Sequence, residues 1–288
     1  MMLVYHVTMS RSPLLLRFLT QALLDPQQRR RLSKISFQDA GHGFDVFGLH
    51  PEWVQGMVAL FQPLYKHWFR VSSHGAHNIP KQGAAILASN HSGMIPIDGT
   101  MIYCDVVSNT DPPRVPRPVT DHFVPALPIV SSIYARCGTV GGSRGNVHAL
   151  LERGELLLIF PEGVPGIDKD FSERYQLRPF RVGIAEMAIR HRTPVIPVAV
   201  IGAEEQFPLR LRLPIHTFGA PYIPLSPIPL PLPVHYHIHY GEPLNLYEGR
   251  SAADADDPEI ASAAASQVQA AVQALIKRGL SERKGVFT

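Results

Sequence analysis

The chain has 288 residues with 45% hydrophobic and 18% charged content, enough apolar material for one large core and too much for a disordered polymer. Its net charge of +3 forms no basic stripe of the kind nucleic acid requires, and its two cysteines, Cys104 and Cys137, make neither a zinc pattern nor a disulfide framework. No run of eighteen or more apolar residues exists, and the short run Leu14–Leu16 lacks a clean cleavage site, so neither a spanning helix nor a signal peptide is expected.

Residues 1–50 read as an N-terminal helical and connector appendage. Leu14, Leu15, Phe18, Leu19, Ala22 and Leu23 recur at helical spacing, and the basic run Arg29-Arg30-Arg31 with Lys34 follows. Such a helix either carries a solvated basic end or lies on anionic lipid. Pro51 to Arg70 predicts a helix with Trp53, Met57, Leu60, Phe61, Leu64, Tyr65 and Trp68 on one face, a stripe expected to face the core or, given its aromatic richness, a bilayer. Strands are expected near Val71–His74, Ala84–Ser89, Val119–Thr120, Gly138–Val140, Leu156–Phe160, Val195–Val200 and His235–Tyr240. Helices are expected at Asp98–Val107, Pro128–Arg136, Asn146–Arg153 and Arg181–His191. The alternation predicts an α/β fold, a single domain over 51–250 with a mixed, mostly parallel sheet flanked by helices. A C-terminal helix and tail occupy 251–288. Between Leu213 and Val234, Pro214, Pro221, Pro224, Pro227, Pro229, Pro231 and Pro233 exclude both a regular helix and a central strand. That stretch is expected to be an extended surface loop, or an apolar flap that touches lipid.

Three segments carry residues suited to chemistry. The strand ending at Ser89 leads into Asn90-His91-Ser92-Gly93, with Asp98 seven residues beyond His91. A neutral imidazole is a good base near pH 7, and a carboxylate that fixes its tautomer and balances the imidazolium improves it. Gly93 and Pro96 allow the loop to fold back, and Asn90 and Ser92 are placed to orient it. The second segment is Phe160-Pro161-Glu162-Gly163, where Pro161 and Gly163 turn the chain sharply and leave Glu162 at a strand end. Glu162 then bonds a polyol hydroxyl, holds a basic side chain, or is simply solvated. The third is Gly138 to Arg144, a glycine-rich loop whose guanidinium suits a phosphate.

These elements, in this order, resemble the glycerolipid acyltransferase superfamily of lysophosphatidate (1-acylglycerol-3-phosphate) and monoacylglycerol acyltransferases. The resemblance covers roughly residues 60–245 and implies a glycerol-3-phosphate acyltransferase-like fold. It implies His91 as base and Asp98 as its partner, with Asn90 and Ser92 beside them as substrate-binding residues. It implies acceptor binding by Gly138, Arg144, Phe160, Pro161, Glu162, Gly163 and Arg181. Val195-Ile196-Pro197 corresponds to the family's apolar block near the acyl site. The segments Gly75 to Pro80 and Gly202 to Glu205 are also similar to such chains. Two extra residues between His91 and Asp98 are similar to the monoacylglycerol-acyltransferase-like branch. Val164-Pro165 stands where the family has a basic residue, a loss that Arg144, Arg174 or Arg181 would offset, or that implies a neutral acceptor.

The implied reaction moves a fatty acyl group from acyl-CoA or acyl carrier protein to a lysolipid or acylglycerol hydroxyl, with no metal, no other cofactor and no nucleic acid. The implied location is the cytoplasmic face of a membrane, peripherally bound. Two rivals come from other classes. Gly141-Gly142-Ser143-Arg144-Gly145 matches the G-x-S-x-G elbow of serine hydrolases, with Asp168 or Asp170 and His235, His237 or His239 as the remaining members. A non-catalytic lipid binder of the same fold is the other.

Overall fold

Strands that are apolar on both sides build the centre of the molecule, because helices cover both faces of the sheet. The computed structural model describes residues 14–93, 95–208, 211–213, 223–225, 227–228 and 230–288. In chain order the main strands are β1 (Ser72–His74), β2 (Ala85–Ser89), β3 (Pro116–Thr120), β4 (Val140–Gly141), β5 (Leu156–Ile159) and β6 (Val195–Ile201). A short pair, β7 (Leu211–Leu213) and β8 (Ile223–Leu225), follows, and then β9 (His237–Tyr240). Among the described residues seven of them form one sheet in the order β1-β9-β6-β2-β5-β3-β4. Neighbours run parallel except β6 and β9, which are antiparallel.

Alternation along the strands divides the core. Ile86, Ala88, Val195, Ala199 and Ile201 pack on one face. Ala85, Leu87, Ile196, Val198 and Val200 pack on the other. The first face is covered by α6 (Arg144–Glu152), α8 (Gly183–Arg190) and α9 (Pro258–Glu282), and the second by α4 (Ile97–Asn109). Val268, Val272 and Ile276 of α9 are buried in the first cluster. Residues 251–288 thus supply a layer of the domain.

The N-terminal segment is also built in. The helices α1 (Leu14–Leu23), α2 (Pro26–Leu32) and α3 (Pro51–Pro63) lead into the fold. Leu24, Leu32, Ile35 and Leu49 pack with Val54, Val58, Tyr103 and Val107. Asp45 accepts a 2.5 Å bond from the buried Arg117 guanidinium. A cut at residue 50 would remove part of the core. At Gly56 of α3 an added Cβ would lie 2.8 Å from Leu16 Cδ2, so the missing side chain lets α1 settle on α3.

The stripe expected on α3 reaches the core in part, since Met57, Phe61, Leu64 and Tyr65 pack against buried clusters. The helix gives way to a π-helical turn at Leu64–Trp68, and its buried face is Val54, Val58, Ala59 and Gln62. Leu60 and Trp68 are 45% and 38% exposed, and Trp53, Met57, Phe61, Leu64 and Tyr65 are half-buried. Small residues face α1 and α4 because close helix approach leaves no room for rings. Of the proline-rich run from Leu213 to Val234, residues 214–222, 226 and 229 lie outside the described set, as do 1–13 and Met94. Ile223–Leu225 pairs antiparallel with Leu211–Leu213, apart from the main sheet. Among the described residues no helix is long and apolar enough to cross a membrane.

Candidate active site

His91 lies just past the carboxyl end of β2, and Asp98 lies in the first turn of α4. The loop between them folds back, so His91 Nδ1 is 2.7 Å from Asp98 Oδ2. The same carboxylate accepts the Ser92 N–H at 2.8 Å through Oδ2 and the Gly99 N–H at 2.8 Å through Oδ1. Burial alone would raise Asp98, but facing His91 and accepting these N–H bonds hold its carboxyl below the usual carboxylate range. An ionised Asp98 only accepts, so His91 Nδ1 carries the hydrogen between them. Asp98 is 1% exposed, while the His91 side chain keeps 15% of its surface open.

Two buried side chains fix the loop that carries the imidazole. Asn90 bonds both polar groups of Val200, donating to its carbonyl at 3.1 Å and accepting its N–H at 2.8 Å. Glu162 accepts the His91 N–H at 3.1 Å and the Arg178 N–H at 2.8 Å, and Lys169 Nζ stands 3.4 Å from it. Glu162 is 1% exposed and does not line the adjoining cavity, so of its three readings the substrate ligand and the solvated turn residue are corrected, and the one in which it holds a basic side chain, Lys169, agrees with the structure. Asn90 orients the loop as expected, but neither it nor Ser92, each 1% exposed, lines the cavity, which corrects their assignment to substrate binding. Phe160 stacks on the His91 ring at 4.1 Å with 20° between planes. Gly99 makes room for it, since a Cβ there would sit 3.4 Å from the Phe160 ring. Gly163 has φ +61°, and any side chain there would overlap the Arg181 guanidinium. Pro161 accepts the Arg181 N–H at 3.0 Å, closing the turn.

His91, Phe160, Pro161, Gly163, Arg144 and Arg181 all line one cavity of about 400 Å³. Its apolar wall comes from Phe123, Val124, Leu127, Ile184 and Met187, with Val130 and Tyr134 of α5 (Val130–Arg136). Sequence reasoning missed this wall, because a cavity lining and a packed core share one pattern of residues. The acyl-site assignment of Val195, Ile196 and Pro197 is corrected: they are buried in β6 between β2 and β9, and none of them lines the cavity. Gly138 also stands off it. Its φ is +93°, its carbonyl accepts from Arg117 Nε at 2.8 Å, and a Cβ would meet Leu49 at 2.8 Å. Arg144 is paired with Glu186 at 2.8 Å. Arg174 lies over the Phe171 ring at 4.6 Å and does not line the cavity.

The hydrolase triad does not assemble. Ser143 caps α6, its Oγ accepting the Asn146 N–H at 3.1 Å, and it follows β4 at one edge of the sheet. His237 and His239 belong to β9 near the opposite edge, and His235 lies two residues before its start. Five strand spacings separate the two strands, roughly 24 Å.

Comparison with known proteins agrees with this architecture. The Acyltransferase family profile matches residues 70–201. An uncharacterized protein of Mycobacterium tuberculosis is 34% identical over 258 residues, covering 85% of this chain and 72% of that one. The DGAT1/2-independent enzyme synthesizing storage lipids of Bos taurus is 32% identical over 142 residues, 49% of this chain and 41% of the bovine one. The 1-acyl-sn-glycerophosphate (LPA) acyltransferase PlsC from Thermotoga maritima shares the fold, with a TM-score of 0.57 and 16% identity over 94% of this chain and 88% of that one. Fold and family profile together define an acyltransferase. The chain belongs to the glycerolipid acyltransferase superfamily.

Proposed function

We propose that this acyltransferase moves a fatty acyl group from a thioester, acyl-CoA or acyl carrier protein, to a hydroxyl of a lysophospholipid or acylglycerol. His91 is the general base. With Nδ1 turned to Asp98, Nε2 is the nitrogen left to take the acceptor proton. The hydroxyl oxygen attacks the thioester carbonyl as that proton moves, and the Asp98 carboxylate balances the imidazolium. Backbone N–H groups at the loop and helix ends steady the oxyanion. The tetrahedral intermediate collapses, the C–S bond breaks, and the departing sulfur takes the proton back from His91. This scheme uses neither a metal nor an acyl-enzyme. Cys137 lines the cavity, but burial pushes its thiol up to about 12, too high for a thiolate nucleophile at neutral pH.

The observation that carries this reading is the 2.7 Å contact of His91 with Asp98 on the wall of an apolar cavity. Arg181 lines that cavity and has no carboxylate within ion-pair distance among the described residues, whereas Arg144 already has Glu186. Arg181 is therefore the better cation for a phosphate of donor or acceptor. Val164-Pro165, in place of a basic pair member, favours a second reading with a neutral acylglycerol acceptor.

We assign the enzyme to the cytoplasmic face of a membrane as a peripheral protein. Leu14, Leu15 and Phe18 of α1 are 83%, 64% and 66% exposed, and α2 follows with Arg29, Arg30 and Arg31. Replacing the three apolar residues by serine is expected to release the protein from anionic liposomes in sedimentation. Unchanged sedimentation would assign docking to another surface. For the reaction itself, purified enzyme is offered each thioester with a panel of lysolipids and monoacylglycerol, and products are read by lipid mass spectrometry. An ester product with one free thiol per turnover is expected. Thioester consumption without any acylated lipid would contradict the reading.

A further inference from the structure

The run His235-Tyr236-His237-Ile238-His239-Tyr240 alternates imidazoles with large apolar groups. Tyr236, Ile238 and Tyr240 are buried on the α4 side of the sheet. The imidazoles therefore point to the side covered by α9. The parallel register of β1 and β9 sets His74 beside His239. On the other side, β6 sets Ala199 opposite His239 and Ile201 opposite His237. Where α9 passes over, it has Gly279, and an added Cβ would lie 2.9 Å from His239 Nε2. A helix without a side chain at that point leaves room for the ring.

These rings are close together and have few other partners. His74 stacks with His239 at 4.5 Å and with His237 at 6.0 Å. His239 is 2% exposed, and neither of its ring nitrogens has a hydrogen-bond partner. Nε2 of His237 has none either. Buried polar atoms are nearly always paired, so two such rings side by side need an explanation. Among the described residues, His74, His237 and His239 are the one group whose donor atoms lie within 4.8 Å of one another in a metal-binding arrangement.

We propose that His74, His237 and His239 form a site for a borderline divalent transition metal, with zinc as the reference ion, at the β1–β9 edge beneath the end of α9. Imidazole suits zinc, copper and nickel, whereas magnesium and calcium require oxygen ligands. Tetrahedral zinc with nitrogens at about 2.0–2.1 Å sets its donors roughly 3.3 Å apart. The cluster closes on the ion by side-chain rotation of the exposed His74 and the half-buried His237, while His239 stays fixed under Gly279. His235 backs the site: its Nε2 is 2.9 Å from Ser72 Oγ and its ring packs on His237 at 4.2 Å. Nearby cations are balanced, Arg283 by both oxygens of Glu205 and Arg278 by Glu282. None of the three ligands lines the cavity that contains His91, so the ion is separate from the acyl-transfer chemistry and clamps β1 to β9.

The test is calorimetric titration of the full chain, purified without a histidine tag and stripped with chelator, with zinc chloride. One ion per chain is expected. His74→Ala and His237→Gln are each expected to weaken binding by at least about tenfold, since even outer-shell changes cost that much. Both positions are open enough to solvent for the variants to fold, which circular dichroism checks. The other close imidazole pair, His148 and His191 at 2.9 Å with Glu152 beside it, is the control. His191→Ala is expected to leave the affinity unchanged. No uptake by the wild-type chain, undiminished affinity in His74→Ala, or loss of binding in His191→Ala would each overturn the site.

Discussion

Two groups of histidine in this sheet live under opposite conditions. His91, beyond β2, is held by Asp98, stacked on Phe160 and anchored through its backbone to Glu162. His237 and His239, on β9, have ring nitrogens with no protein partner and stack on further imidazoles. The first arrangement sets one nitrogen and leaves the other for a reacting proton. The second leaves lone pairs together, which is what a cation requires and a proton-transfer site does not. A histidine's function is therefore decided by what holds its second nitrogen.

The largest effect is expected at His91. His91→Ala is expected to lower kcat about 10²–10⁴-fold, as loss of a general base does. An unchanged circular dichroism spectrum would assign that loss to chemistry. Glu162→Ala probes the anchoring. It leaves two backbone N–H groups and Lys169 without their shared acceptor and shifts the imidazole, so a loss in kcat of about 10²-fold is expected. Thermal melting should show a lower Tm as well, and Glu162→Gln should recover part of both. Arg181→Ala sharpens the assignment of the cavity cation. KM for a lysophospholipid is expected to rise on the order of tenfold, while KM for monoacylglycerol stays level, as one charge-assisted contact predicts. The smallest effect concerns the cysteines. Burial pushes Cys137 up to about 12 and Cys104 higher still, so both thiols stay protonated at pH 8. Iodoacetamide at that pH is expected to leave the rate unchanged, with intact-mass spectrometry showing no adduct on the native protein.

Much of this was legible before the fold was known, though unevenly. The strands Ala84–Ser89 and Val195–Val200 were readable because burial on both faces demands unbroken apolar runs, and β2 and β6 fall within a residue of those bounds at each end. His91 and Asp98 were readable because glycine and proline between them imply a loop that returns. Other features were hidden for physical reasons. For Glu162 a bound basic side chain was one of three open readings, and nothing local reveals that a distant loop, at His91, also supplies it with a donor. The α3 stripe, read from its 3.6 period, reaches the core only in part, because close packing at Gly56 also buries a small-residue face. The cavity wall from Phe123 to Met187 cannot be told from core by pattern alone, and the true apolar block at Val195–Pro197 was taken for it.

The most direct test is the kinetics of Asp98→Asn, followed by thiol release from acyl-CoA with and without a lipid acceptor. The carboxylate that sets the imidazole tautomer is then lost with almost no change of shape. The account predicts a large fall in kcat, little change in either KM, and a wild-type rate that depends on acceptor. An Asp98→Asn enzyme as fast as wild type would contradict it.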